Sequence, residues 1–220
     1  MQIIKAVFFE PVGCLADFPA KAFDDIVARV FKFEGGAARS RSEAYWRLLD
    51  LMQRSGTVLT SAQTKTVEEL ELQAVEAVEL YEDVVPALSA LNTMSISLVV
   101  TSSLSTVAVN RFLEKFSLAP FFSAVWTRDS AGGVKTAPLA RALQSASFQP
   151  EHVMSLFDTS DGLKVAKEVG VNSILMIDDP DEARRMAMEA PTGGIVSLHE
   201  LPDAIRLVAE NAKTLTLDQA

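Results

Sequence analysis

Side chains that could do acid–base or anion chemistry follow four apolar runs of the sequence. Glu10 comes directly after the first run, and Thr101 closes a second. Lys135 lies in a glycine-containing loop, and Asp158 and Asp161 follow another apolar run. Carboxylates serve as nucleophiles or Mg²⁺ ligands, and a hydroxyl beside an ammonium group can hold an anion. These residue types predict a site for a small anion.

Six short apolar runs, rich in β-branched residues, are predicted as strands that alternate with amphipathic helices. Near-continuous apolar strands are typical of a parallel sheet that is covered on both faces. The sequence therefore predicts an α/β fold with helices on both faces of a parallel sheet. The predicted strands are 3–9, 95–100, 124–126, 152–157, 172–177 and 194–197. The predicted helices of this unit are 106–116, 138–146, 163–169, 181–190 and 201–212.

Residues 18–80 interrupt the alternation with helical patterns and no convincing strand. We interpret them as an inserted α-helical cap subdomain on a core domain formed by residues 1–17 and 81–220. An insertion after a strand's carboxyl end overhangs the ligand crevice of an open α/β sheet. Tyr45 and Trp46 are predicted to pack in the interior of this helical bundle. The predicted cap helices are 20–33, 42–54 and 66–80.

The sequence after the first strand, Glu-Pro-Val-Gly-Cys-Leu-Ala-Asp, resembles the first signature of the haloacid dehalogenase-like superfamily. That signature is an apolar strand followed by Asp-x-Asp-Gly-Thr-Leu-x-Asp. Gly13, Leu15 and Asp17 match it. Glu10 stands where the family has its nucleophilic Asp, and Val12 stands where the family has its acid/base Asp. The resemblance implies a Rossmann-like core and is closest to the phosphoglycolate phosphatase and β-phosphoglucomutase subgroup, which carries a helical cap.

Two further segments resemble the family's phosphate-binding stations. Thr101, followed by Ser102, ends an apolar strand, as does the family's phosphoryl-binding Thr or Ser. Lys135 stands in Lys-Thr-Ala-Pro, which is similar to the family's Lys-Pro-x-Pro. The resemblance implies that these three residues bind phosphate, with Thr101 and Lys135 also assisting catalysis.

The fourth station implies a Mg²⁺ site. Asp158 matches the first acid of the family's Gly-Asp-Ser-x-x-x-Asp, but Gly162 stands at the second acid, and Asp161 comes one residue early. The implied metal ligands are Asp158, Asp161, the Glu10 carboxylate and the backbone carbonyl of Val12. With an acid missing, Mg²⁺ is expected to bind weakly or not at all, because it requires near-octahedral oxygen ligation.

These departures bear directly on the reaction. The longer side chain of Glu10 displaces its carboxylate by about one bond length, and a misplacement of about 1 Å can cost about a hundredfold in rate. Val12 cannot transfer a proton, which typically costs about 10²–10⁴-fold. Phe157 replaces the glycine of the fourth station, and Val12 beside Phe9 and Phe157 would make the pocket more apolar. An alternative interpretation is that Glu10 is a buried structural carboxylate paired with Lys135.

The sequence leaves three functions open. The leading hypothesis is a catalytically inactive or vestigial family member that acts as a binding or regulatory protein. A second is a Mg²⁺-dependent phosphatase or phosphomutase that acts on a small phosphorylated metabolite. A third is a dehalogenase, which uses the nucleophilic carboxylate without the second acid.

Composition restricts the partners. A formal net charge of −9 argues against nucleic acid and anionic membranes as partners. The single cysteine, Cys14, excludes an internal disulfide and suits a reducing compartment, so we expect a cytoplasmic protein. A protein partner or a homodimer remains open alongside the small anionic ligand.

Overall fold

The fold is built on a six-stranded parallel sheet in the order β3-β2-β1-β4-β5-β6. Each predicted strand overlaps an observed one, so the predicted α/β sheet is confirmed. The strands are β1 (Ala6–Phe9), β2 (Ser97–Thr101), β3 (Ala124–Trp126), β4 (Val153–Phe157), β5 (Asn172–Met176) and β6 (Gly193–Ile195). The computed structural model describes residues 4–32, 41–54, 59–146 and 148–217.

Strand β1 lies at the centre of the sheet. All four of its residues are buried, as expected for a strand that is covered on both faces. At its carboxyl end Phe9 is paired with Val100 of β2 on one side and with Leu156 of β4 on the other. The next residue, Glu10, therefore leaves the sheet at the centre of the edge where an open α/β sheet binds ligands.

Helices follow the strands and cover the sheet, and none in the described part of the chain is long and apolar enough to cross a membrane. In chain order they are α1 (Pro11–Cys14), α2 (Ala20–Phe31), α3 (Arg41–Arg54), α4 (Ser61–Ala77), α5 (Val84–Thr93), α6 (Thr106–Lys115), α7 (Arg128–Ala131), α8 (Thr136–Ala146), α9 (Ser160–Val169), α10 (Pro180–Met186) and α11 (Leu201–Leu217). Short 3₁₀ turns occur at Ala119–Phe121, Pro150–His152, Ala187–Glu189 and Leu198–Glu200.

Helices α2, α3 and α4 form the helical cap. Helix α4 begins at Ser61, five residues before the predicted start, because Thr60 and Gln63 form a capping box. The Thr60 hydroxyl accepts from Gln63 N, and Gln63 Oε1 accepts from Thr60 N at 3.0 Å. The predicted end at residue 80 is also wrong, because the chain becomes extended at Val78.

The two chain segments that join the cap to the core lie side by side. Ala16 and Leu80 form an isolated antiparallel bridge. Tyr81 N donates to Leu15 O at 3.1 Å, and Asp17 N donates to Glu79 O at 3.4 Å. This pairing places the cap helices over the carboxyl edge of the sheet.

Candidate functional site

Glu10 is buried, and its carboxylate accepts hydrogen bonds from both the core and the cap. Ser102 Oγ donates to Oε1 at 2.6 Å, and Val12 N lies 3.4 Å from the same oxygen. Tyr45 OH, from cap helix α3, donates to Oε2 at 3.0 Å, and Ser103 N lies 3.3 Å from it. The chain's own donors therefore surround the group that stands at the nucleophile position.

Burial dominates the electrostatics of this carboxyl group. It raises the pKa of Glu10 from 4.5 to about 7, although hydrogen bonds from Ser102, Tyr45, Ser103 and Val12 favour the ionised form. Burial also raises the pKa of the Tyr45 phenol, as does the neighbouring Glu10. The phenol therefore stays protonated and acts as the donor in this pair.

Gly13 lets Asp158 and the cap approach the turn after β1. Its φ is +79°, and a Cβ there would lie 2.1 Å from Asp158 Oδ2 and 2.4 Å from Ser42 Oγ. Only glycine fits this conformation and these contacts. The turn thus brings together Gly13 from the first station, Asp158 from the fourth and Ser42 from α3.

The loop between β2 and α6 has backbone N–H groups that would suit an anion, but oxygens of the protein already accept from them. Ser103 N lies 3.1 Å from Tyr45 OH, and Leu104 N donates to Ser102 Oγ at 3.2 Å. Ser105 N donates to Glu71 Oε2 at 3.1 Å, and Thr106 N donates to Asp129 Oδ2 at 2.7 Å. Thr101, predicted to bind phosphate, is buried at the end of β2 beside this loop.

Lys135 pairs with a cap residue. Its ammonium group donates to Asp50 of α3, so the alternative ion pair with Glu10 is not the one that forms. The backbone of Lys135 is left-handed, with φ +59°, and its N–H donates to Ser103 Oγ at 2.7 Å. The carboxylate of Asp50 therefore pairs with the ammonium group that was expected to neutralise phosphate.

Phe157 occupies the space beside Gly162. A Cβ at Gly162 would lie 2.4 Å from Phe157 Cδ1 and 2.7 Å from its Cβ, so the ring and a second acid cannot both be present without a shift. Trp46 of α3 packs edge-on against the ring, with centroids 6.2 Å apart. Asp161 forms a part-exposed ion pair with Lys164 at 3.0 Å.

The Mg²⁺ that the resemblance implies does not fit these residues. Donors of the chain surround the Glu10 oxygens, Phe157 fills the place of the second acid, and Asp161 pairs with Lys164. Within the described ranges, no three His, Cys, Asp or Glu side chains are grouped so that they could hold a metal ion.

One cap helix, α3, reaches all four stations of the predicted site. Its contacts recur at helical spacing, at Ser42, Tyr45, Trp46 and Asp50. Tyr45 and Trp46, predicted to pack in the bundle interior, are both buried. Their approach to the core was not predicted. The signal that could have indicated this contact is the recurrence of polar side-chain atoms on the apolar face of α3.

A second contact between cap and core is the buried ion pair of Glu71 and Arg128. Glu71 lies on α4 and is 1% exposed, and Arg128 begins α7 and is 8% exposed. The guanidinium group also donates to Ser103 O at 3.2 Å. Together with Ser105 N, these groups satisfy both charges at the cap–core boundary.

The sequence matches a family model described as haloacid dehalogenase-like hydrolase over residues 42–176, which is more than half of the chain. The matched region begins after the altered signature at Glu10. No curated protein sequence matches the chain.

Solved structures with the same fold cover nearly the whole chain at low sequence identity. A haloacid dehalogenase-like hydrolase from Streptococcus pneumoniae has a TM-score of 0.68 and 18% identity, covering 92% of this chain and 99% of that one. A predicted phosphoglycolate phosphatase from Haemophilus somnus has a TM-score of 0.65 and 17% identity, covering 92% and 98%. An L-2-haloacid dehalogenase from Xanthobacter autotrophicus, with chloropropionic acid covalently bound, has a TM-score of 0.63 and 17% identity, covering 93% and 99%.

Proposed function

This chain belongs to the haloacid dehalogenase-like hydrolase family, and we propose that it is a member without hydrolytic activity that acts as a binding or regulatory protein. The observation that carries this proposal is the environment of Glu10. Its carboxylate is enclosed by donors of its own chain, two of them from Tyr45 and Ser103. A nucleophile must instead direct a free lone pair at the reacting atom of a bound substrate.

The missing proton transfer supports the same proposal. Val12 lies beside Glu10 and is buried, with no group that could donate or accept a proton from its side chain. The hydroxyl of Tyr45, from the cap, contacts Glu10, but burial and Glu10 raise the pKa of this phenol further above neutrality. A general base works best when its pKa lies near the working pH, so Tyr45 is poorly suited to replace the lost Asp.

The two enzymatic alternatives have less support. A phosphatase or phosphomutase of the family's type needs a metal ion and a second acid, but Phe157 occupies the space next to Gly162. A dehalogenase needs an accessible carboxylate for displacement of halide, but Glu10 is 5% exposed. We therefore propose weak or absent Mg²⁺ binding and no covalent intermediate on Glu10.

Side chains of α3 fill the crevice at the carboxyl edge of the sheet, and this restricts what the protein can bind there. A small anion that used Lys135 or Ser103 N would have to displace Asp50 or Tyr45, both from α3. With the cap in place, we propose that the outer surface contacts a protein partner or a second copy of the chain. The net charge of −9 disfavours nucleic acid and anionic membranes in that role.

The test is turnover by the purified chain with an aryl phosphate and Mg²⁺, and separately with 2-chloropropionate. We expect no Mg²⁺-dependent phosphate release and no chloride release above the buffer blank. Intact-protein mass spectrometry after each incubation should show unmodified chain. Turnover above about 1 s⁻¹, an ordinary if low enzyme rate, or a covalent adduct on Glu10, would contradict the proposal.

A further inference from the structure

Two adjoining cavities lie beside the segments that join the cap to the core, and Tyr81 and Glu82 line both of them. The first has a volume of about 500 Å³ and reaches the carboxyl ends of β5 and β6, at Met176 and Val196. The second has a volume of about 400 Å³ and lies beside Asp17. We call the two cavities together the hinge groove. None of its lining residues belongs to α3 or to the loop between β2 and α6, so the groove is accessible while α3 fills the crevice.

The hinge groove is strongly acidic. Five carboxylate side chains line it, and that of His199 is the one basic side chain among its described lining residues. Asp83 Oδ2 accepts from Ser197 Oγ and from Leu198 N, both at 2.7 Å, and neither of these donors carries a charge. The groove should therefore attract a cationic group. The five carboxylates are those of Asp17, Glu79, Glu82, Asp83 and Asp178.

Tyr81 gives the hinge groove an aromatic surface in a fixed position. Its backbone N–H donates to Leu15 O at 3.1 Å, and its carbonyl accepts from Val84 N at 3.2 Å. The side chain of Val196, which is 65% exposed, adds an apolar surface to the same groove. A guanidinium group stacks on aromatic rings and pairs with carboxylates through its planar fork of donors, whereas an ammonium group is a point charge. These surfaces together suit an arginine next to an apolar side chain.

Other occupants fit the hinge groove less well. In the part of the chain that the structure describes, no three acidic, histidine or cysteine side chains are grouped closely enough to hold a metal ion. Phosphates and nucleic acids carry the same sign of charge as the groove and would be repelled. A second copy of the chain has a net charge of −9 and would be repelled at long range as well.

We propose that the hinge groove is a docking site for a protein partner that presents an arginine beside an apolar side chain. This inference rests on the proposed role as a binding protein, and it adds the position of the interface and the chemistry of the partner. Arginine and aromatic contacts at the centre of an interface contribute much of the binding free energy.

The first test compares two acetylated and amidated peptides, Gly-Arg-Leu-Arg-Gly and its counterpart with citrulline in place of both arginines. On the full chain, the arginine peptide should bind saturably, with a Kd of about 1 mM or tighter. It should shift the amide resonances of Tyr81, Glu82 and Val196 but not that of Phe8 in β1. Citrulline has nearly the same shape without the charge, so its peptide should bind about tenfold more weakly or worse. Equal affinity of the two peptides, no saturation by the arginine peptide, or shifts confined to other surfaces would overturn the proposal.

The second test removes two charges from the hinge groove and, as a control, two from elsewhere. Glu79→Gln/Glu82→Gln and Glu69→Gln/Glu168→Gln each replace two exposed carboxylates and change the net charge equally, and both variants should fold. The groove variant should bind the arginine peptide about tenfold more weakly. The control should change its affinity by less than about twofold, because distant exposed charges are screened at physiological salt. Equal losses would show that overall charge, and not the groove, holds the peptide.

Sedimentation separates a partner protein from a second copy of the chain. We expect the wild-type chain and Glu79→Gln/Glu82→Gln to have the same oligomeric state. A wild-type dimer that becomes monomeric in this variant would assign the groove to a second copy and overturn the proposal. Peptide binding is measured separately from turnover. Binding by a chain that also hydrolyses an aryl phosphate would contradict only the absence of hydrolysis, and failure to bind by an inactive chain would contradict only the docking site.

Discussion

The hydroxyl of Tyr45 lies 3.0 Å from Glu10 Oε2 and joins the cap to the residue at the family's nucleophile position. An aromatic residue of the cap thereby stabilises a carboxylate that in a hydrolase would face substrate. The contact gives one oxygen of this carboxylate a hydrogen-bond donor from within the protein. Its consequences can be measured in stability as well as in activity.

Glu10 should make folding stability depend on pH. Its pKa is about 7 in the folded protein against 4.5 for the free side chain, so between these values the folded state keeps a proton that the unfolded state has lost. The stabilisation that this proton provides is complete below pH 4.5 and is lost as pH rises through about 7. The free energy of unfolding should therefore fall by about 3 kcal/mol across this window.

The Glu10→Gln variant provides the comparison, because an amide does not titrate. Urea unfolding at several pH values should show the decline in the wild-type chain and its absence, or near absence, in the variant. If the free energy of unfolding changed equally with pH in the two proteins, Glu10 would be solvated in the folded state.

The buried pair of Glu71 and Arg128 should contribute much more to stability than an exposed pair on the same helix. Glu71→Gln leaves the guanidinium group buried without its counter-charge, and removing one partner of such a pair costs about 3–5 kcal/mol. The matched control is Glu76→Gln, also on α4, which breaks an exposed ion pair with Arg111. Exposed pairs contribute little. Chemical denaturation should separate the two variants clearly, and equal losses would contradict the burial of Glu71.

The sequence was sufficient to predict the sheet but not the closure of its crevice. Apolar runs such as that of β1 identify buried strands directly, since their residues are covered on both faces. The partners of Glu10 and Lys135 depend instead on which face of an inserted helix meets the core. Tyr45 is 35 residues from Glu10, and Asp50 is 85 residues from Lys135. No local pattern encodes such pairings, so the Glu10–Lys135 ion pair was a reasonable alternative that the cap pre-empts.

Whether Gly162→Ala stabilises or destabilises the folded protein should depend on the side chain at residue 157. Gly162→Ala places a methyl group against Phe157 and should cost about 1–3 kcal/mol through overpacking. In a Phe157→Gly background the same change meets neither the ring nor the Cβ of residue 157. It should then stabilise α9 by about 0.5–1 kcal/mol, the helix preference of alanine over glycine. A double-mutant cycle by urea unfolding measures this coupling. A cycle without coupling would show that the ring does not occupy this space.

Restoration of the family's acids tests which departures block the chemistry. Glu10→Asp with Val12→Asp returns the nucleophile and the acid/base group, yet Phe157 still fills the space beside Gly162. We expect this double variant to gain no Mg²⁺-dependent hydrolysis of an aryl phosphate. Turnover should first appear when Phe157→Gly and Gly162→Asp are added, because all four positions then match the family's signatures.

The order in which the substitutions restore activity shows which departures from the signatures block the reaction. The pair Phe157→Gly with Gly162→Asp alone should be inactive, because Glu10 is too long and Val12 cannot move a proton. Thermal unfolding of each variant must show that it folds, and a chelator should abolish any turnover that appears. If Glu10→Asp with Val12→Asp were active by itself, the loss of the acid at Gly162 would not limit the reaction. The crevice that side chains of α3 fill would then have to open readily to substrate.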